Sequence, residues 1–453
     1  FSSTVNGAYT LATTTTGSTT FSGTVGSTVT GLTINTATLT AAAIGLASSR
    51  ALSVNNSGDA SITGIISGTN LTLSKAGAGT LTLSGASTYT GSTVINEGIL
   101  LLSGAGTLGN NSNSLSINSA TLNLQKALAV GSLSMSGAAA ITNGAGTSSL
   151  VVNTTSTLAG NITTSGLQTY TGAVTLGAAT TLTTGSSGGA ITFSSTVNGP
   201  YTLSTTTTGS TTFTGTVGST VTGLTINTAT LTAAAIGLAT NSTLSVTNSG
   251  AGTIGGIISG TSLTLSKAGA GTLTLSGAST YTGSTVINGG TLLLSGVGTL
   301  GNNSNSLSIS SATLDLQKAL TVGSLSMSGT SPAITNTTGS SSLVVSGNST
   351  LAGSITTSGI QTYSGAVTLG NNLSVTTSNG TLTFAAVTGA GFNLTTSSGS
   401  GNQGFAGITN LGTLSITSSG AMTQTGAISA NNMLLSGGSY SLFTQANSIG
   451  TLA

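Results

Sequence analysis

A tandem duplication constrains this chain more than any single residue does. Phe1-Ser2-Ser3-Thr4-Val5-Asn6-Gly7 returns as Phe193-Ser194-Ser195-Thr196-Val197-Asn198-Gly199, an offset of 192 residues, and the run from Leu71 to Asn96 is identical to that from Leu263 to Asn288. A further copy opens at Thr383-Phe384 and diverges at once. The expected division is a first repeat unit over 1–192, a second over 193–383, and a partial, divergent third over 384–453 that continues the same architecture. The chain starts at Phe1 with neither Met nor a basic stretch, so it reads as a segment of something longer.

A shorter period lies inside each unit. Thr followed by an aromatic ring recurs at Phe21, Tyr89, Tyr170, Phe193, Phe213, Tyr281, Tyr363 and Phe384. From Phe193 the ring spacings are 20, 68, 82 and 21 residues, which as one, three, four and one steps average near 21. A step of that size is one coil of a solenoid. Within the steps, runs such as Thr80-Leu81-Thr82-Leu83 and Thr121-Leu122-Asn123-Leu124 alternate apolar with small polar residues, the period-two pattern of a half-buried strand. Most end in Ser-Gly, Asn-Gly or Gly-x-Gly, which are turn signals. The fold expected is all-β, a right-handed parallel β-helix of roughly 21 coils with inward Leu, Val and Ile, on the order of 100 Å long at the inter-strand spacing. Ala41-Ala42-Ala43-Ile44 is compatible with a helical turn, but its flanks favour strand. The two copies differ in length between Met135 and Leu150 and between Gly172 and Phe193, which places loops there.

The run Gly77-Ala78-Gly79-Thr80-Leu81-Thr82-Leu83-Ser84-Gly85-Ala86-Ser87-Thr88-Tyr89-Thr90-Gly91-Ser92-Thr93-Val94-Ile95-Asn96, continuing to Asn110 and returning over Gly269 to Asn302, resembles the autotransporter-associated β-strand repeat of bacterial passenger domains. The end, Ile408 to Ala453, is similar to coils of filamentous-haemagglutinin-type exoproteins. The first resemblance implies the β-helix, export across the outer membrane of a Gram-negative bacterium, and a cell-surface or secreted location.

Composition narrows the chemistry. The chain has five basic and three acidic residues, no His and no Cys, so Ser-His-Asp and Cys-His pairs, imidazole or thiolate metal sites and disulfides are excluded. Five scattered cations cannot neutralise a run of phosphates, which excludes nucleic-acid binding by counterion release. No apolar stretch reaches the roughly 20 residues of a spanning helix. The acids Asp59, Glu97 and Asp315 are not repeated one unit away and are expected as isolated surface groups; catalysis, cofactors and metals are not expected. Lys75/Lys267 and Lys126/Lys318 do recur, and read as turn-borne surface charges that oppose edge pairing or contact a ligand. The recurrent rings read as register markers between coils. Thr runs such as Thr13–Thr16 and Thr205–Thr208 raise ice binding, which needs Thr-x-Thr on one face of consecutive coils; read at a fixed period, the Thr positions vary. What remains is an extracellular structural rod, a segment of a giant adhesin or surface filament. Its nearly uncharged, hydroxyl-rich surface suits self-association into filaments or bundles and multivalent contact with a cell surface or glycan. The alternative is a carbohydrate-binding or carbohydrate-degrading β-helix.

Overall fold

A computed structural model describes residues 1–185, 187–442 and 445–453. The described residues contain strands, turns and bends and no helix. Every strand pair whose register is described is parallel, with partners between 18 residues apart, as Leu115 with Leu133, and 24 apart, as Leu325 with Ser349. The architecture is a β-solenoid of about 22 turns. Alternation sets the core: in Leu52 and Val54, or Leu81 and Leu83, the inward side chain is buried and its neighbours are not. Each apolar row stacks on the row one turn away, so burial is completed between turns rather than within one.

The chain divides into two compact units, Phe1–Ala229 and Thr230–Ala453. This division ignores the sequence repeat, whose boundaries fall inside strands, Ile191–Phe193 and Leu382–Thr388. A solenoid turn touches only its neighbours, so a repeat boundary leaves no seam. The expected loops are present: the first length difference lies in the turn before Ala140–Thr142, the second between Val174–Thr184 and Ile191–Phe193. The alanine run is not helical; Thr38–Ala41 and Ile44–Gly45 are strands on either side of a bend. Beyond Phe384 the ladder continues through Gln403–Gln424, Ile428–Tyr440 and Ser448–Leu452.

Inside the first unit the repeat and the turn are out of step. Nine ladder steps lead from Ser18–Phe21 through Thr38–Ala41, Ala60–Ile62, Thr80–Leu83, Ile99–Leu102, Thr121–Leu124, Ala140–Thr142, Ser156–Thr164 and Val174–Thr184 to Thr202–Thr206. Thr202–Thr206 is the copy of Thr10–Thr14, not of Ser18–Phe21. The true copy, Ser210–Phe213, stacks on a different column, that of Gln168–Tyr170 and Ile191–Phe193. One repeat therefore spans a non-integral number of turns, and the second copy starts one face further round.

Candidate functional surface

The recurrent rings point inward. Phe1 stacks on Phe21 at 4.8 Å between centroids, Tyr170 on Phe193 at 5.3 Å, and Phe193 on Phe213 at 4.8 Å. In the second unit Tyr363 meets Phe384 at 4.8 Å and Phe384 meets Phe405 at 5.6 Å. The stacked rings of strands that pair are register partners. Tyr89 and Tyr281 are buried too, each with its hydroxyl 2.6 Å from the Oγ1 of Thr93 or Thr285. Apart from Phe1, which is exposed, these rings are buried and hold coil to coil, closed to any ligand from outside. Phe405 belongs to this series although Gly404 replaces its marker Thr; ladder register, not the motif, identifies it.

Sequence reasoning missed the glutamines two residues before three of these rings. Gln168 is fully buried, accepts from the Tyr170 hydroxyl at 3.1 Å, and donates across the interior to the carbonyl of Thr183 at 2.9 Å. Gln361 repeats this with Tyr363 at 2.8 Å and the Thr376 carbonyl at 2.9 Å. Gln403 accepts from Thr396 at 2.6 Å and donates to Ser398 at 3.1 Å. A long amide satisfied at both ends can be buried where an unpaired one cannot. The signal available was Gln at an inward strand position.

The lysines require a correction. Lys75 and Lys267 are not surface charges: both have 0% exposure and sit at inward positions, Lys75 in register between Val54 and Ile95 and Lys267 between Val246 and Ile287. The Lys75 ammonium donates to the carbonyls of Ala76 (2.7 Å), Gly77 (2.6 Å) and Glu97 (3.2 Å), joining one corner to the next. Lys267 donates likewise to Ala268 (2.7 Å), Gly269 (3.0 Å) and Gly289 (3.2 Å). Gly289 stands where the other copy has Glu97, so the backbone carbonyl, not the carboxylate, is the common partner. Gly77 and Gly269 have φ of +73° and +78°, a conformation that Gly adopts without penalty. Burial lowers both amines to about 8, opposed at Lys75 by the charge of Glu97. The sequence reading failed because it took Lys as polar and placed it outside, whereas a four-carbon stem can fill a core position and deliver its head to a corner. Lys126 and Lys318 are half-buried.

The acids do not converge. Asp59 and Glu97 are exposed. Asp315 is not a surface group: it is 7% exposed and accepts from the Thr337 amide (3.1 Å) and hydroxyl (2.6 Å) and from Gln317 (3.3 Å). Among the described residues no group of three or more His, Cys, Asp or Glu is placed to hold a metal, and no helix is long and apolar enough to cross a membrane. Two surface grooves, one around Ser149 and Leu167 and one around Ser326, Asn348 and Thr368, are lined without any charged side chain.

Hydroxyls, in contrast, do converge. In the second unit Ala333–Ser354–Ser374–Thr395–Ser415 and Thr356–Thr376–Ser397–Thr417–Ser436 form two adjacent outward columns in continuous register. In the first unit Thr20–Thr40–Ser61–Thr82 form another, with Ser18 beside Thr38 in the neighbouring column. Thr itself still varies from coil to coil, and Thr-x-Thr stands on no two successive turns of these columns, while a hydroxyl from Ser or Thr keeps its place. Turns differ in length because their loops do, and a fixed period slides off a column that hydrogen-bonded register keeps aligned. Interruptions remain at Ile99/Leu101 and at Leu293/Asp315.

With this geometry in hand, comparison with known proteins is specific on one point. The family model described as the passenger-associated transport repeat matches residues 73–102 and 265–294. The chain carries two copies of this repeat, and each contains one lysine corner, Lys75 or Lys267, and one buried Tyr–Thr pair. No curated protein and no solved structure matches the chain.

Proposed function

We propose that this chain is part of the passenger of a Gram-negative autotransporter, exported to the cell surface or beyond, where it acts as a structural solenoid of an adhesin or surface filament rather than as an enzyme. The observation that carries this reading is the pair of passenger-type repeats set in an all-parallel solenoid. Its chemistry agrees: neither His nor Cys is present, and the acids are few. What it offers to the outside is repeated hydroxyl, amide and methyl groups along many turns, a surface suited to multivalent contact. An interior without cysteine is free of disulfides that would obstruct passage of an unfolded chain.

The test is display. Cells producing the full-length parent protein are expected to show this segment to antibody and to external protease without lysis. Segment found only inside intact cells would overturn the reading, as would turnover of a polysaccharide that is lost on Asp59→Asn or Glu97→Gln.

A further inference from the structure

We propose that Asn288-Gly289, at the lysine corner of the second copy, is a site of spontaneous deamidation in the folded chain. The reaction is attack by a backbone amide on a side-chain amide. The Gly289 nitrogen gives up its proton to solvent and bonds to Asn288 Cγ; the side-chain nitrogen takes up a proton and leaves as ammonia, and a cyclic imide remains. Water then adds to one of the two imide carbonyls and opens the ring to aspartate or isoaspartate. Water is the sole co-reactant and nothing is oxidised or reduced. Glycine after Asn favours the attack because it has no Cβ to hinder the approach.

Asn-Gly occurs at Asn6, Asn143, Asn198, Asn288 and Asn379, and the fold separates the five. At three the attacking N–H is held: Gly7 donates to Thr28 Oγ1 at 3.0 Å, Gly144 to Asn123 Oδ1 at 3.1 Å, and Gly199 to Thr220 Oγ1 at 2.9 Å. At a fourth the side chain is held, since Asn379 Oδ1 accepts from the amide and hydroxyl of Ser400 at 3.1 and 3.0 Å. Asn288 is exposed, and among the described residues neither its side chain nor the Gly289 N–H makes a hydrogen bond. The equivalent Asn96 is tied down: it accepts from Asn118 at 3.0 Å, donates to Ser74 at 3.4 Å, and precedes Glu97. Ser310 stands where the first copy has Asn118. Packing does not demand glycine at 289, where an added Cβ would meet nothing nearer than 3.5 Å. The corner registers the change. Asn288 N–H donates to the Lys267 carbonyl at 2.8 Å, and the Gly289 carbonyl accepts from the Lys267 ammonium at 3.2 Å. Isoaspartate routes the main chain through the side chain and so adds a methylene between these two anchors. Both products lower the formal net charge by one from +2, and because ammonia is lost the modified fraction grows with the age of the folded chain.

The test follows all five sites by peptide mass spectrometry while the purified full chain ages in mildly alkaline buffer, folded and in denaturant. In the folded chain Asn288 should react first and the other four should lag by about fivefold or more, the factor that breaking one hydrogen bond beforehand puts on a rate. In denaturant, where those hydrogen bonds are gone, the five rates should converge. Gly289→Glu installs the residue that the first copy carries at this place, and should reduce reaction at Asn288 to the level of Asn96 with an unchanged melting temperature. Asn288 lagging behind any of the other four in the folded chain overturns the proposal. So does the same ranking in denaturant as in the folded chain, or reaction at Asn288 that persists in the Gly289→Glu variant. The chemistry is independent of surface display, so the two readings fail separately.

Discussion

At the scale of single residues, the interior is held by polar groups that bind neighbours in the chain and also reach carbonyls in another strand or the next turn, as Lys75 reaches Glu97 and Gln361 reaches Thr376. Lys75 and Lys267 carry amines lowered to about 8 from 10.5, so between those values the unfolded chain binds more protons than the folded one and stability rises with pH. Burial pushes the hydroxyls of Tyr89, Tyr170, Tyr281 and Tyr363 well above their ordinary value of 10.0. Above that value the unfolded chain loses tyrosine protons that the folded chain retains, and stability falls. Thermal melts are therefore expected to show a maximum near pH 10, and the double variant Lys75→Met, Lys267→Met to lose the rise below it. A melting temperature flat from pH 7 to 10 in the parent chain would refute the buried-amine assignment. Gln361→Leu leaves the Tyr363 hydroxyl without its acceptor and takes one donor from the Thr376 carbonyl, a cost on the order of 1–3 kcal/mol for the orphaned hydroxyl. Amide exchange over 357–377 should accelerate accordingly; unchanged protection would show that water replaces the amide.

Elements in this molecule are strands too short to be stable alone, and packing between turns makes them persist. The ring series shows how. Phe193 is fully buried between Tyr170 and Phe213, and Phe193→Ala is expected to cost about 3–5 kcal/mol through lost burial and the cavity left behind. Limited proteolysis should then cut near 185–200 before other sites. Turns are equally exacting where coils approach: a Cβ on Gly91 would lie 2.2 Å from the Leu71 carbonyl oxygen, so Gly91→Ala must displace one coil from the next and should produce cleavage near residue 91. Alternation, turn residues and the ring marker were all legible in the sequence, because they depend on chemistry within a few residues. The buried lysines and glutamines were not, because each also needs a carbonyl or hydroxyl supplied from elsewhere in the fold, as Glu97 does for Lys75 and Thr376 for Gln361.

For the whole molecule, the mismatch between repeat and turn has a consequence for display. Within Phe1–Ala229 the second copy of a motif emerges one face away from the first, so tandem repeats present a given patch in rotation rather than in a single line. Spin labels at Thr20→Cys and Thr206→Cys, nine ladder steps apart on one column, should lie about 43 Å apart along the axis. The repeat-equivalent pair Thr20→Cys and Thr212→Cys should share no column. Labels at Thr20 and Thr212 aligned on one face would mean that repeat and turn are commensurate.

Local chemistry in the sequence determined that this chain is all-β, coiled at about 20 residues, studded with turns and without the residues of common catalysis, because alternation, glycine placement and composition act over short distances. It also contained the two passenger-type repeats. Tertiary structure alone decided which polar residues are inside, which hydroxyls share a face, and where one copy points relative to the next. Those depend on register accumulated through loops of unequal length, and a residue or two gained in one turn moves a side chain relative to the column it would otherwise join.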